Sequence, residues 1–282
     1  MINNGPDLQG FMVCKDCGAA MPGNDNRVLN DIQRPYVSKF ARGKCRHVDA
    51  INVSLGYDFV TDMLVLEFSI DKHRINTNNG LWLTRASQTL AEALRLAASK
   101  YLDVEFTELV TGYRVRKNLE GIFVDIYLYD SLSSGAGYSV SVADDINIIL
   151  ENVEEILKGC SCDDACHNCL KHYRNQYVHG MLDRFAGLQL LSWGRKGTIA
   201  EELNVEKQKK YIAPLRRILN MSGCRISFES SGIYAQEGNQ KKRVVIYPAM
   251  WAEPHRKDTI YVSDVYIKYA KPYAVQKILD EM

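Results

Sequence analysis

The sequence predicts an α+β protein in which an antiparallel sheet with packed helices is followed by a small basic α/β tail. Three observations carry that expectation: paired β-rich runs in the first half, one long stretch with apolar residues at helical spacing, and a late excess of positive charge. With 282 residues, 46% apolar and 24% charged, the chain can bury one or two cores. Segments 1–49, 50–196 and 197–282 are the expected divisions. The start, MINNGPDLQGF, has neither a basic n-region nor an apolar h-region, and no run of about 18 apolar residues occurs. A cytoplasmic protein with no membrane partner is therefore expected.

Residues 1–47 lack periodic apolar pattern and are rich in Gly, Asn, Asp and Cys, which predicts a loop-dominated segment held by something other than a core. Two β-rich runs, 51–59 and 63–70, flank an acidic turn from Asp58 to Asp62 and are expected to pair antiparallel. Leu83, Ala86, Leu90, Leu94, Ala97 and Tyr101 then recur at helical spacing after the turn residues Asn78, Asn79 and Gly80. Runs 108–116 and 121–130 predict a hairpin through Lys117–Glu120. The segment SLSSGAG (131–137) breaks the pattern, and a helix is expected over 138–157, stopped by Gly159.

Beyond the cysteines at 160–169, helices are expected over 167–177 and 182–193, the second carrying Phe185, Leu188 and Leu191 on one side. Gly194-Arg195-Lys196-Gly197 marks a boundary. The tail predicts a helix over 205–220 kinked at Pro214, strands near 224–229, 243–248 and 259–267, and a last helix from about Pro272. Residues 195–282 hold 16 Lys and Arg against 10 Asp and Glu, whereas residues 1–194 are net acidic. A basic partner surface belongs in the tail.

Seven of the eight cysteines fall in two local clusters, with Cys224 alone, a distribution unlike a secreted disulfide framework and suited to reduced metal ligands. Cys160, Cys162, Cys166 and Cys169 place four thiols within ten residues, and Zn²⁺ favours a tetrahedral thiolate shell. The Cys160-x-Cys162 pair needs a turn, while Cys166 and Cys169 converge across one helical turn. His167 and His172 are read as bystanders. Cys14-Lys-Asp-Cys17-Gly is a zinc-knuckle turn, for which Cys45 and His47 are the best remaining ligands. The α+β fold is thus expected to be stabilised by one Zn²⁺, with a second in the knuckle. Both sets are closed, which suits folding and leaves no open position for catalysis.

The run Tyr129-Asp130-Ser131-Leu132-Ser133-Ser134-Gly135-Ala136-Gly137-Tyr138, followed by a helix and then the four cysteines at 160–169, resembles the MrfA-like zinc-binding domain. That family usually lies at the C-terminal end of superfamily 2 DNA helicases of the MrfA type and occurs in phage-defence proteins of the DISARM and Druantia kinds. The resemblance covers residues 50–195, with Ser134 standing where the family commonly has the first glycine of a Gly-Gly-x-Gly loop. It implies a zinc-stabilised accessory region of a DNA repair or phage-defence machine, with a helicase motor domain or subunit as partner. No GxxxxGK[ST] motif occurs, so this chain alone is not expected to be the motor.

Asp130 is read as capping backbone N–H groups of its loop, in preference to a phosphate site built on Gly135 and Gly137. Asp125, Asp130, Asp144 and Asp145 have no spacing that makes them converge on magnesium, and surface acids are expected. Lys171, His172, Arg174 and Arg184 cluster after the zinc segment. Lys207, Lys209, Lys210, Arg216 and Arg217 line the tail helix, and Lys241, Lys242 and Arg243 form a basic triplet. With Tyr173, Tyr177 and Tyr211 interleaved, these cations suit single-stranded DNA, and the tail cations are the expected contacts. Two rival readings stay open: a metal-dependent nuclease or hydrolase, and a protein-docking scaffold that never touches nucleic acid.

Overall fold

A computed structural model describes residues 2–31, 36–39, 43–56, 58–77 and 80–282. It divides into two compact units, Met1–Val60 and Thr61–Met282. In the first unit, strands β2 (Phe11–Cys14), β3 (Ala20–Pro22) and β4 (Ala50–Val53) form an antiparallel sheet of order β3-β2-β4, while β1 (Ile2–Asn3) pairs with β5 (Leu55–Gly56). Among the described residues its buried core is Met12, Cys14, Ala19 and Leu29, with Cys17 and Cys45 packed against it.

The second unit begins with β6 (Met63–Ile70), followed by helix α1 (Gly80–Leu102) and the hairpin β7 (Leu109–Asn118) and β8 (Gly121–Asp130). The sheet is antiparallel in the order β6-β8-β7, with Met63 paired to Tyr129 and Leu109 to Asp130. Helix α1 is buried along most of its length, because the sheet covers one side and later helices the other. Trp82, Leu90, Leu94, Val124, Ile126 and Leu128 meet there in the core. Those later helices are α2 (Tyr138–Asp144), α3 (Ile146–Lys158) and α4 (Arg184–Lys196), which bring Val142, Ile149, Val153, Leu157 and Leu190 into the same core.

The tail runs α5 (Val205–Ile212), a short 3-10 turn at Pro214, α6 (Arg216–Met221), β9 (Arg225–Glu229), β10 (Gly232–Glu237), β11 (Gln240–Tyr247), β12 (Thr259–Ser263), α7 (Asp264–Tyr269) and α8 (Lys271–Asp280). The sheet order is β12-β11-β10-β9, with β11 and β12 parallel and the other pairs antiparallel. Ile212, Leu219, Ile226, Val244, Ile260 and Ile278 form its own core. The tail is also stitched to the body: Asn76 N–H donates to the Met250 carbonyl, Ala252 N–H to that of Arg74, and the Trp251 indole to that of Ala200.

Four local expectations are corrected. The runs 51–59 and 63–70 do not form a hairpin, since β4 pairs with β2 and β6 with β8. Alternation specifies a strand but not its partner. The helix expected over 138–157 breaks at Asp145, whose φ of −106° leaves helical geometry and whose carboxylate accepts from the Tyr101 hydroxyl at 3.0 Å. The strand expected to reach 267 ends at Ser263, where Asp264 starts α7 and accepts the Ala249 N–H at 2.8 Å. The helix expected over 167–177 is a set of turns followed by a 3-10 segment, Tyr173–Met181. The expected turn residues Asn78 and Asn79 lie outside the described residues.

Candidate metal centres

Helix α3 stops at Gly159, whose N–H still reaches the Glu155 carbonyl at 2.7 Å, and the chain then bends through Cys160 and Cys162. Cys166 opens a tight turn: the N–H groups of Cys169 and Leu170 both donate to its carbonyl at 3.1 Å, and its own N–H points at the Cys169 sulfur, 3.2 Å away. The four sulfurs converge. Cys160 lies 3.6 Å from Cys166, Cys162 3.7 Å from Cys169, and Cys166 3.8 Å from Cys169. A tetrahedral shell with Zn–S near 2.3 Å has edges of about 3.8 Å, so this set fits zinc, and all eight cysteines of the chain are free thiols.

The knuckle repeats the arrangement with a histidine. Cys14 ends β2, the Gly18 N–H returns to its carbonyl at 2.9 Å, and Gly18 itself holds φ near +77°. Ala19 N–H approaches the Cys17 sulfur at 3.4 Å, and His47 N–H the Cys45 sulfur at 3.4 Å. Cys14 and Cys45 sulfurs are 3.6 Å apart, and Cys17 Sγ is 3.4 Å from His47 Nδ1. The potential ligand atoms of each set lie within 4.8 Å of one another. Both sets fit zinc and are complete at four, so neither leaves a position for substrate.

The protons on these thiols are unevenly held. Backbone N–H of Cys162 and neighbouring thiols draw Cys160 down to about 7, whereas burial pushes Cys162 up to about 12 and Cys169 upward as well. Zinc uptake must displace those protons, so affinity rises with pH.

A polar cluster absent from the sequence reading supports the first centre. Arg184, only 8% exposed, donates to the carbonyls of Cys162 at 2.8 Å and Leu157 at 3.1 Å, and is therefore not the surface cation expected after the zinc segment. Asp183 caps α4 by accepting from Phe185 and Ala186 N–H, and also accepts the Tyr269 hydroxyl at 2.8 Å. Tyr269 additionally reaches Asp164 at 2.9 Å, and Lys268 pairs with both Asp164 and Asp183. Helix α7 of the tail thus grips the zinc loop. The partners are about a hundred residues apart in sequence, so no local pattern announces them.

The remaining expected site residues are distributed as follows. Asp130 is fully buried and accepts the N–H groups of Ala136, Tyr138 and Ser139 at 2.7, 3.0 and 2.8 Å, which puts its own carboxylate where a phosphate would have to sit. Asp125 is held by Arg114 and Arg116. Among the described residues, these acids form no cation site with Asp144 and Asp145. Lys207, Lys209 and Lys210 lie on α5, with Lys209 paired to Glu206, and Arg216 and Arg217 are exposed on α6, Arg216 over the Phe228 ring. Lys241 and Arg243 project from one face of β11 and Lys242 from the other. Lys241 pairs with Glu229, and Lys242 donates to the Glu281 carbonyl. The cations therefore occupy more than one face of the tail.

Residues 90–170, which contain Cys160, Cys162, Cys166 and Cys169, match the family model of the MrfA Zn-binding domain. That segment is similar to an MrfA-type zinc-binding domain. Over 273 residues it is 31% identical to the Druantia protein DruE of Escherichia coli (strain UMEA 4076-1), an alignment covering 90% of this chain and 15% of that protein. The chain thus spans a small part of this relative's length. Crystal structures of the DUF1998 helicase MrfA, one bound to DNA and one to DNA and AMPPNP, align with 56% of the chain at 16% and 18% identity, with TM-scores of 0.37 and 0.35. They cover 20% and 19% of those chains. No helix among the described residues is long and apolar enough to cross a membrane.

Proposed function

We propose that this chain is a nucleic-acid-associated accessory region, folded around two structural zinc ions, of a larger helicase-type protein acting in DNA repair or phage defence. The observation that carries the reading is the MrfA-type domain with its four converging thiols, in a chain that aligns with 15% of a Druantia protein. Cys160, Cys162, Cys166 and Cys169 hold one zinc, and Cys14, Cys17, Cys45 and His47 the other. ATP-driven movement belongs to a helicase motor domain or subunit, since no phosphate-binding GxxxxGK[ST] loop occurs in this sequence. Segment 1–49 is the knuckle, 50–196 the zinc-binding domain, and 197–282 a basic tail. Its cations Lys207, Lys209, Lys210, Arg216, Arg217, Lys241, Lys242 and Arg243 meet the phosphates of single-stranded DNA.

Two measurements on the purified chain test this. Elemental analysis should find two zinc ions per chain, falling by one in Cys160→Ser/Cys162→Ser and by one in Cys17→Ser. Anisotropy titration should show DNA binding that weakens with salt at a log–log slope near −0.7 per phosphate neutralised, and charge reversal in the tail should flatten it. Full zinc content in the double mutant sinks the metal assignment. Absence of DNA binding at low salt favours a docking scaffold, and magnesium-dependent cleavage a nuclease.

A further inference from the structure

Tyr173 and Tyr177 are 74% and 75% exposed on the 3-10 segment that follows the four-cysteine loop. A single exposed ring is ordinary on a protein surface. Here two stand on one short segment whose backbone is fixed from below. His172 N–H donates to Asn175 Oδ1 at 2.7 Å, and Arg174 N–H to His172 Nδ1 at 3.2 Å. The buried Asn175 amide donates in turn to Glu92 at 2.9 Å and to the Leu170 carbonyl at 3.0 Å. His179 Nε2 closes the loop, 2.9 Å from Asn175 Oδ1, and Val178 inserts into the core. Arg95 and Tyr177 interact electrostatically, while the Tyr177 side chain stays largely open to solvent.

Charge selects the occupant. From Ala165 to Met181 the sequence contains no Asp or Glu, but it contains Lys171, Arg174 and three histidines. Arg174 sits 5.9 Å over the Tyr173 ring. The one carboxylate facing this segment from α1, Glu92, is buried and engaged by Asn175. Fixed open rings among uncompensated cations suit a polyanion that carries flat apolar faces. In a duplex those faces are already stacked on one another, whereas an unpaired strand offers them.

We propose that Tyr173 and Tyr177, flanked by Lys171 and Arg174, form a stacking platform for unpaired bases of single-stranded DNA. The proposal rests on the nucleic-acid reading above but assigns the strand a site on the zinc-binding domain, separate from the tail cations. The rings take the base faces while Lys171 and Arg174 take the adjoining phosphates. Because stacking releases no counterions, this contribution persists at salt concentrations that suppress the tail's.

The test titrates the full zinc-loaded chain with a short labelled oligothymidylate and with an abasic strand of equal length and charge. Stacking contributes upward of about five-fold in affinity per base. Tyr173→Ala/Tyr177→Ala should therefore weaken oligothymidylate binding roughly ten-fold or more, while the abasic strand and the salt slope stay unchanged. Phe at both positions should restore binding, since it keeps the rings. Tyr173→Ala alone, which leaves the Tyr177 ring in place, should show about half the effect on a logarithmic scale. Unchanged oligothymidylate affinity in Tyr173→Ala, or an equal loss on the abasic strand, overturns the platform. Failure of the unmodified chain to bind either strand overturns the nucleic-acid reading itself.

Discussion

Asp130 shows how a single side chain decides the character of a loop. Its carboxylate takes three backbone N–H groups and the Ser139 hydroxyl, closing the turn that leads into α2. Gly135 is required beside it, with φ near +76°, and any Cβ there would come within 2.2 Å of the Asp62 carboxylate. Ser134, also at φ 76°, holds a left-handed conformation that disfavours a side chain, which accounts physically for glycine at that place in related loops. Burial raises the Asp130 carboxyl, but the bonds from Ser139, Ala136 and Tyr138 outweigh it and hold the group below its ordinary value. A depressed folded pKa gives stability that is present above the unfolded value, about 3.9, and is lost as pH falls through the folded one. Asp130→Asn should therefore destabilise by about 1–3 kcal/mol at pH 7, with the deficit shrinking on acidification below pH 4. Denaturant titrations of both proteins at pH 7 and pH 3 measure it, and a deficit that does not change with pH refutes the assignment. That capping role was legible in the sequence because an acid before a Ser/Gly loop is local chemistry. The grouping of Cys160, Cys162, Cys166 and Cys169, and of Cys14, Cys17, Cys45 and His47, was likewise visible as residue type, and the structure brings each set together.

Elements were legible to the extent that their causes are local. Helix α1 and the β7–β8 hairpin follow from apolar period and turn residues within their own spans. Strand β10 went unforeseen, for Gly232–Glu237 has no strong alternation of its own and is held by β9 and β11 on either side. The pairing of β6 with β8 skips α1 and the whole of β7, so it depends on a core that sequence pattern does not map. Arg184 is the sharpest case, because nothing in its neighbours distinguishes a buried arginine from a surface one. At the first position of α4 it donates back to carbonyls on either side of Cys160, joining α3, the zinc loop and α4. Arg184→Ala should leave the Cys162 and Leu157 carbonyls without their donors, at about 1–3 kcal/mol for each buried group left unsatisfied. The same change should loosen the zinc loop, so a chromogenic chelator should strip the first zinc faster than from the unmodified chain while the knuckle zinc is released at its usual rate. Equal release of both ions would show that Arg184 supports packing alone.

The two units of the whole molecule depend on metal to different degrees. Thr61–Met282 has two extensive cores, one around α1 and one beneath the tail sheet, and its zinc loop lies against the first of them. Among the described residues, Met1–Val60 has four buried apolar residues, one of which, Cys14, belongs to the proposed zinc set, and Cys17 and Cys45 pack on the same cluster. A segment of that size buries too little apolar surface to offset the entropy of ordering its chain. The zinc proposed at Cys14, Cys17, Cys45 and His47 would then supply the folding energy directly, as in small zinc domains that are unfolded without metal. Limited proteolysis should separate the two cases. In Cys17→Ser, or after gentle chelation, residues 1–60 should be digested while a fragment close to 61–282 survives with its melting transition intact. In Cys160→Ser/Cys162→Ser, cleavage should be confined to the stretch around 158–183, because α1, α3 and α4 still share a packed core. The chelated chain should also lose a larger fraction of its hydrogen-exchange protection in 2–56 than in any segment of α1. If residues 1–60 resist protease equally with and without metal, the small core suffices by itself, and the second zinc contributes something other than the fold of that unit.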